Sequence, residues 1–350
     1  MKVLVTGGAG FIGSAVCRNL VLQKHCTVVN VDKLTYAANL ASVEMLEGRD
    51  EYTFIKADIC DRDTIRAIFS EHRPNAVLHL AAESHVDRSI DSPDTFIQSN
   101  IVGTYELLQA AYIYWRDLTA DMQRKFRFLH VSTDEVYGSL GEDGAFNELS
   151  PYRPNSPYSA SKAASDHLAH AWFETYGLPV MVSTCTNNYG PYQFPEKLIP
   201  RMIINALEGR TLPVYGQGLN RRDWLHVEDH AEALYAILTQ GRAGETYAIG
   251  ANNDCSNIAL VKKLCVLMDE LADELPVQPT SQLISFVTDR PGHDFRYAID
   301  AQKITAELGW MPRHTLDDGL RQVVQWYLDN RSWWGAISEQ VYDGERLGVL

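Results

Sequence analysis

The chain lacks the cysteine spacings of a metal site or a redox pair. Its six cysteines, Cys17, Cys26, Cys60, Cys185, Cys255 and Cys265, are scattered with no C-x-x-C and read as reduced structural thiols. No metal is expected. No apolar run approaches the ~18 residues of a membrane span, and the first hydrophobic segment is already used as a strand, so no signal peptide is expected and a cytoplasmic address follows by elimination. Positive charge is also scarce: 31 Lys and Arg against 45 Asp and Glu give a net charge of −14. That balance argues against nucleic acid or an anionic membrane as partner, and any nucleotide must be held by local arginines. Internal repeats and low-complexity stretches are absent too. What remains is 350 residues with 45% hydrophobic content, enough to bury one large core or two smaller ones.

The N-terminus carries the clearest ligand signal. Lys2-Val3-Leu4-Val5 is a short apolar strand that runs into Thr6-Gly7-Gly8-Ala9-Gly10-Phe11-Ile12-Gly13. Glycines there let the chain turn sharply and bring backbone N–H groups and a helix dipole against a pyrophosphate. Gly7, Gly10, Phe11, Ile12 and Gly13 are the candidate phosphate contacts. Asp32, with Lys33 beside it, ends the second strand about 20 residues beyond the last glycine, where a carboxylate can accept from an adenosine ribose. A 2′-phosphate would meet that negative charge, so NAD is favoured over NADP.

Residues 1–186 alternate apolar strands (2–5, 27–31, 52–56, 76–80, 126–131 and 179–183) with helical patterns. This predicts an α/β fold: a Rossmann-type doubly wound parallel sheet. Asp58-Ile59 and Leu80-Ala81-Ala82 fall at the carboxyl ends of strands, where open α/β sheets bind ligands. From residue 187 the texture changes to turn formers and aromatics, then to helical patterns at Glu196–Leu207 and roughly 228–239, 257–272, 301–308 and 315–329. These predict a smaller, mostly helical lobe over 187–350 that covers the substrate, with a segment near 222–250 returning to the first unit. Trp326, Trp333 and Trp334 read as packing residues.

Two further segments carry chemistry. Ser132-Thr133-Asp134-Glu135-Val136-Tyr137-Gly138 follows the fifth strand, and Tyr158-x-x-x-Lys162 puts a phenol and an ammonium one turn apart on a helix face. The lysine, with a positive nicotinamide ring close by, should lower the tyrosine pKa toward neutrality so that it serves as a base. Most alcohol dehydrogenases need only that pair. The two added carboxylates imply a second step, elimination of water beside the new ketone, with one acid and one base.

Taken with Ala81-Ala82-Glu83-Ser84-His85-Val86-Asp87-Arg88-Ser89-Ile90, Asn187–Pro200, Arg222-Asp223-Trp224-Leu225 and Asp289-Arg290-Pro291-Gly292-His293-Asp294, these motifs resemble the nucleotide-sugar 4,6-dehydratases of the extended short-chain dehydrogenase/reductase superfamily. The resemblance runs from Met1 to about Trp334. It implies that Tyr158 takes the proton of the sugar 4-hydroxyl as hydride leaves C4 for a tightly held NAD, with Thr133 and Lys162 holding the alkoxide. Glu135 would then remove the C5 proton and Asp134 protonate the departing 6-hydroxyl, before hydride returns to C6. It also implies a nucleoside diphosphate site at Asn187, Lys197, Leu198, Pro213, Tyr215, Arg222, Asn257, Arg290 and His293, with Ser84 at the sugar. The expected substrate is dTDP-glucose. UDP-glucose is the alternative, and a C4 epimerase the competing reaction. A homodimer through the long helices around 95–113 and 158–175 is implied as well. Three positions depart from the pattern: Asn39 after Ala37-Ala38 at the adenosine end, and Arg221 and His226 around Arg222. His226 and His230, on either side of Glu228 and Asp229 at a helix start, read as capping rather than as metal ligands.

Overall fold

In the computed structural model, which describes residues 1–289 and 293–340, every strand of the main sheet but the third is almost wholly buried. The strands in chain order are β1 (Lys2–Thr6), β2 (Thr27–Asp32), β3 (Tyr52–Lys56), β4 (Ala76–His79), β5 (Arg127–Thr133), β6 (Val180–Cys185), β7 (Asn187–Tyr189), β8 (Leu212–Tyr215), β9 (Arg221–Arg222), β10 (Trp224–His226), β11 (Thr246–Ile249), β12 (Cys255–Ser256) and β13 (Ile284–Val287). Seven of them form one parallel sheet in the order β11-β6-β5-β4-β1-β2-β3. Helices cover both faces, so Val3, Leu4 and Val5 have no exposed surface and the strands carry apolar residues on successive positions instead of alternating ones. Each such residue stabilises the fold by roughly 1.5–3 kcal/mol through burial.

The chain moves outward from β1 through β2 to β3, then crosses back to β4 on the other side of β1. The order reverses at β1/β4, and loops after these two strands diverge to leave a cleft at their carboxyl ends. β11 joins the edge beside β6 (Thr246↔Val182 through Ile249↔Cys185) after the helix Val227–Gln240. One apolar core lies on each face of the sheet. A third joins the helices Leu198–Leu207, Asn257–Leu271 and Leu316–Asp329 to Tyr189 and Trp224. Trp334 is buried there and donates from Nε1 to the Tyr327 carbonyl at 2.9 Å, while Trp326 and Trp333 pack around Tyr192.

Several element ends differ from the sequence-based expectation, β6 running to Cys185 rather than 183 among them, and two differences bear on the site. β5 runs to Thr133 rather than stopping at 131, because Ser132 and Thr133 pair with Thr184 and Cys185. The helix expected over 95–113 is broken: Ile97–Val102 is a π-helical stretch between Pro93–Phe96 and Gly103–Arg116. The buried Asn100 side chain at its centre accepts from the Glu83 N–H at 2.8 Å and donates to the Glu83 carbonyl and Ser161 Oγ at 2.9 and 2.8 Å. A π turn lets this amide reach the loop after β4, as such bulges commonly do beside functional sites.

Candidate active site

The turn from β1 into the helix Phe11–Arg18 requires its glycines. Gly7 has φ +76°, and a Cβ on it would meet the Ala81 nitrogen at 2.7 Å; one on Gly13 would sit 2.0 Å from the Gly7 carbonyl. At Gly10, which lines the cleft, a Cβ would approach only the Gly7 carbonyl, at 3.3 Å. The first two hold the turn closed and the third keeps backbone open to a ligand. Across the cleft the Asp32 carboxylate is fixed by the Ala9 and Leu34 N–H groups at 3.0 and 2.8 Å. Burial raises its pKa, against those two hydrogen bonds.

Phe11, Ile12, Lys33, Ile59, Leu80, Ala81 and Ala82 line the same cleft, and so do Tyr158 and Lys162. Asp58 does not line it. Its carboxylate accepts from the Cys60 N–H at 2.9 Å and lies 3.6 Å from Lys33 Nζ, steadying a lining residue from behind. The glycine cradle, the ribose-side carboxylate and the small residues of the facing wall fit a dinucleotide.

Where β5 ends, Thr133 caps a short turn, Asp134–Tyr137, and its hydroxyl accepts from the Glu135 N–H at 3.3 Å. The cap puts two consecutive carboxylates at the cleft end of the sheet. Opposite them, Ser156 and Ser159 form a reciprocal capping box at the start of Pro157–Tyr176, with Pro157 at the first helical position, so Tyr158 enters in the first turn. Lys162, one turn on and 5% exposed, donates to the Val131 carbonyl at 2.8 Å.

The substrate half adjoins this centre. Ser84, Asn187 and Lys197 border both parts of the cleft, as does Glu135. Leu198, Pro213, Tyr215, Arg222, Asn257 and His293 complete the second part. β7 sets Asn187 there by pairing with β10, Trp224 opposite Asn187. Arg222 is buried, and its guanidinium donates to the carbonyls of Arg221, Asp294 and Phe295 at 2.7, 2.9 and 3.2 Å while lying over the Tyr297 ring. It therefore ties the segment around His293 to β9 as well as lining the cleft. Arg290 lies outside the described residues.

Residues that sequence reasoning did not single out also line the cleft: Ser99, Cys185, Thr186 and Asn188 on the cofactor side, Arg201 and Trp224 on the other, and Glu196 on both. Arg201 could have been found from helical spacing, four positions after Lys197. His226 is the N-cap of Val227–Gln240, its Nδ1 accepting from the Glu228 N–H at 3.3 Å, and His230 Nδ1 is 2.9 Å from Asn188 Oδ1. Among the described residues no cluster of metal-ligating side chains occurs.

The model of the GDP-mannose 4,6-dehydratase family matches residues 4–323. The chain belongs to this dehydratase family. A dTDP-glucose 4,6-dehydratase of Neisseria meningitidis is 58% identical over 351 residues, covering 99% of both chains, and one of Escherichia coli is 54% identical over the whole of both. Among solved structures, the dTDP-glucose 4,6-dehydratase of Bacillus anthracis in complex with NAD superposes with a TM-score of 0.85 at 43% identity, covering 96% of this chain and 99% of that one. The UDP-glucose 4-epimerase of Thermus thermophilus, also with NAD, gives 0.82 at 27% identity, covering 94% of this chain and all of that one.

The electrostatics of this dehydratase separate the two neighbouring carboxylates. Asp134 is 2% exposed, one of its oxygens (Oδ2) has no hydrogen-bond partner, and burial, reinforced by the Glu135 charge, raises its pKa well above the ordinary carboxylate range. The shift favours the protonated form, the one that can donate. Burial also pushes the Tyr158 phenol well up, with the Glu135 charge next, and a hydrogen bond with Thr133 pulls it down. The expected lowering by Lys162 does not emerge from the protein groups alone. Lys162 spends its hydrogen bond on Val131, and burial lowers its own pKa against the charge of Asp166.

Proposed function

We propose that this protein dehydrates dTDP-glucose to dTDP-4-keto-6-deoxyglucose, as an NAD-dependent hydro-lyase. One observation carries the reading: Glu135 lines the cleft with Tyr158 and Lys162, and Asp134, next to it in the chain, is buried behind the cleft wall, where burial raises its pKa. An epimerase of the same fold needs Tyr158 and Lys162 but has no use for the two acids.

NAD, when bound, takes up hydride from C4 and gives it back at C6. The chain's own groups do the rest. Tyr158 removes the 4-hydroxyl proton, and Thr133 holds the oxygen. Glu135 removes the C5 proton once the neighbouring carbon is a ketone, and a proton returns to C5 as hydride arrives at C6. Asp134 delivers the proton that lets the 6-hydroxyl leave as water, and burial, by raising its pKa, favours the protonated form that this needs. The glycine turn, Asp32 and Ala81-Ala82 hold the dinucleotide. The nucleoside diphosphate lies along Asn187, Lys197, Leu198, Pro213, Tyr215, Arg222, Asn257 and His293, with Ser84 at the sugar.

Residues 1–186 with a return over 222–250 form the NAD unit in this reading, and 187–350 mainly the nucleotide-sugar lobe. The separate core around Tyr189, Leu264 and Val323 supports that division. A homodimer through the helices Gly103–Arg116 and Pro157–Tyr176 would cover Tyr176, which is 44% exposed there; light scattering tests it. A cytoplasmic address is supported by six free thiols, and no described helix is long and apolar enough to cross a membrane.

Incubation of the purified protein with dTDP-glucose, UDP-glucose and GDP-mannose separately, followed by mass spectrometry, tests the reaction. Loss of one water from dTDP-glucose is expected without added NAD. An isomeric sugar with no loss of water would replace this reading with epimerisation.

A further inference from the structure

Glu196 is sealed from solvent, its side chain 1% exposed, although it stands on the wall shared by both parts of the cleft, and no step above uses it. Oε1 accepts from the Tyr36 hydroxyl at 3.0 Å and Oε2 from Arg88 Nε at 3.3 Å. His85 Nε2 lies 3.8 Å from Oε1. Its Nδ1 accepts from the Arg88 N–H, so the protonated nitrogen faces the carboxylate. The Arg88 guanidinium also lies over the Tyr36 ring at 3.8 Å, and that ring packs edge-on against Phe194 at 5.5 Å.

These residues come from three connections, the loop after β2, the segment after β4 with its short helix Val86–Asp91, and the loop after β7, and Glu196 is 160 and 108 positions from Tyr36 and Arg88. Each connection also lines the cofactor part of the cleft, through Thr35 and Ala38, through Glu83 and Ser84, and through Phe194. A buried carboxylate left without partners is costly, so the three connections stay together at Glu196 or separate at the expense of charge-assisted hydrogen bonds.

We propose that Tyr36, Arg88 and Glu196 form a clasp that keeps the dinucleotide resident between the two hydride transfers, with Glu196 as its positioning residue. The proposal rests on the NAD-dependent dehydration read above. That reaction oxidises C4 and reduces C6 of one sugar, so a dinucleotide that departs midway carries off the hydride and strands an unsaturated ketone.

The test compares the parent with Tyr36→Phe, which removes one hydroxyl and keeps the ring between Arg88 and Phe194, and with Glu196→Gln. Each is desalted, its NAD content per chain is counted after denaturation, and NADH escaping during turnover is captured by a second dehydrogenase with its ketone substrate. Melting of the NAD-stripped proteins controls for folding. The clasp predicts release about tenfold faster in Tyr36→Phe and faster still in Glu196→Gln, trapped NADH that the parent does not yield, activity recovered on supplying NAD, and parent-like melting of the stripped Tyr36→Phe protein. Variants that hold NAD as the parent does, or that lose it only with a lowered melting temperature that added NAD does not reverse, would overturn the clasp and leave the dehydratase reading standing. A parent that neither retains NAD nor releases water from any of the three sugars would overturn both.

Discussion

The Lys162 ammonium donates to the Val131 carbonyl at 2.8 Å, which pins the helix that carries Tyr158 to the strand that ends in Thr133. One hydrogen bond thus sets the phenol against the two acids, and removing it separates an electrostatic role from a positional one. Lys162→Met keeps most of the stem and loses the charge. The expected result is a fall in kcat of about a hundredfold or more, with the acid limb of the pH profile displaced upward if the ammonium acts on the phenol once the nicotinamide ring is in place. An unchanged profile would restrict Lys162 to holding the helix.

Glu135→Gln should bind and oxidise the sugar but stall before elimination, because an amide cannot remove the C5 proton. Bound NADH would build up and no water would be lost, both visible in one stopped-flow and mass-spectrometric experiment. Full dehydration by the variant would take the base away from Glu135.

Asp134 makes the complementary prediction. Burial raises its pKa, and an acid must be protonated to act, so the elimination step should weaken as pH rises through that raised value. Asp134→Asn keeps the shape and cannot deliver a proton. Elimination should fall by about a hundredfold or more and lose its alkaline dependence, while oxidation of the 4-hydroxyl persists in single-turnover measurements.

The sheet was legible in the sequence because strands buried on both faces are largely apolar runs bounded by turn residues, and Val3–Val5 and Ala76–Leu78 are such runs. The glycine turn was legible for a related reason: close backbone approach leaves no choice of side chain at Gly7 and Gly13. What stayed hidden depends on partners far along the chain. The π turn around Asn100 exists to reach Glu83 and Ser161, and no helical period encodes that reach. Glu196 reads as an ordinary surface acid until Tyr36 and Arg88 are folded onto it. Arg222 was legible as a lining residue from its motif, but its hold on the 294–295 carbonyls was not, since backbone acceptors leave no mark on the sequence.

The glycine turn can be tested directly. Gly13→Ala would place its Cβ 2.0 Å from the Gly7 carbonyl, a contact that only backbone movement relieves. The helix start must then shift away from Gly7, opening the cradle for the pyrophosphate. The variant should purify with little NAD and melt lower than the parent by an amount that saturating NAD does not restore, measured by cofactor content and thermal unfolding.

Behind the catalytic helix face, Asp166 is fully buried and accepts from Ser132 Oγ at 2.6 Å, Tyr152 at 3.1 Å and His130 Nε2 at 3.0 Å. Burial pushes its pKa from 3.8 up to about 6, against the lowering influence of the Lys162 charge and the Ser132 and Tyr152 hydrogen bonds. A carboxyl whose pKa is raised by folding contributes stability that is complete below its unfolded value and is lost as pH rises through the folded one. The parent should therefore lose stability between about pH 4 and pH 6 from this group. Asp166→Asn replaces an acceptor with a donor among three donors and should melt lower at every pH, by about 1–3 kcal/mol of lost hydrogen bonding. It cannot titrate, so the difference from the parent should be largest at the acid end of the window and shrink as pH rises. Melting curves of both proteins across that range decide the matter: a difference that stays constant with pH would mean that Asp166 is already ionised throughout, held so by the Lys162 ammonium.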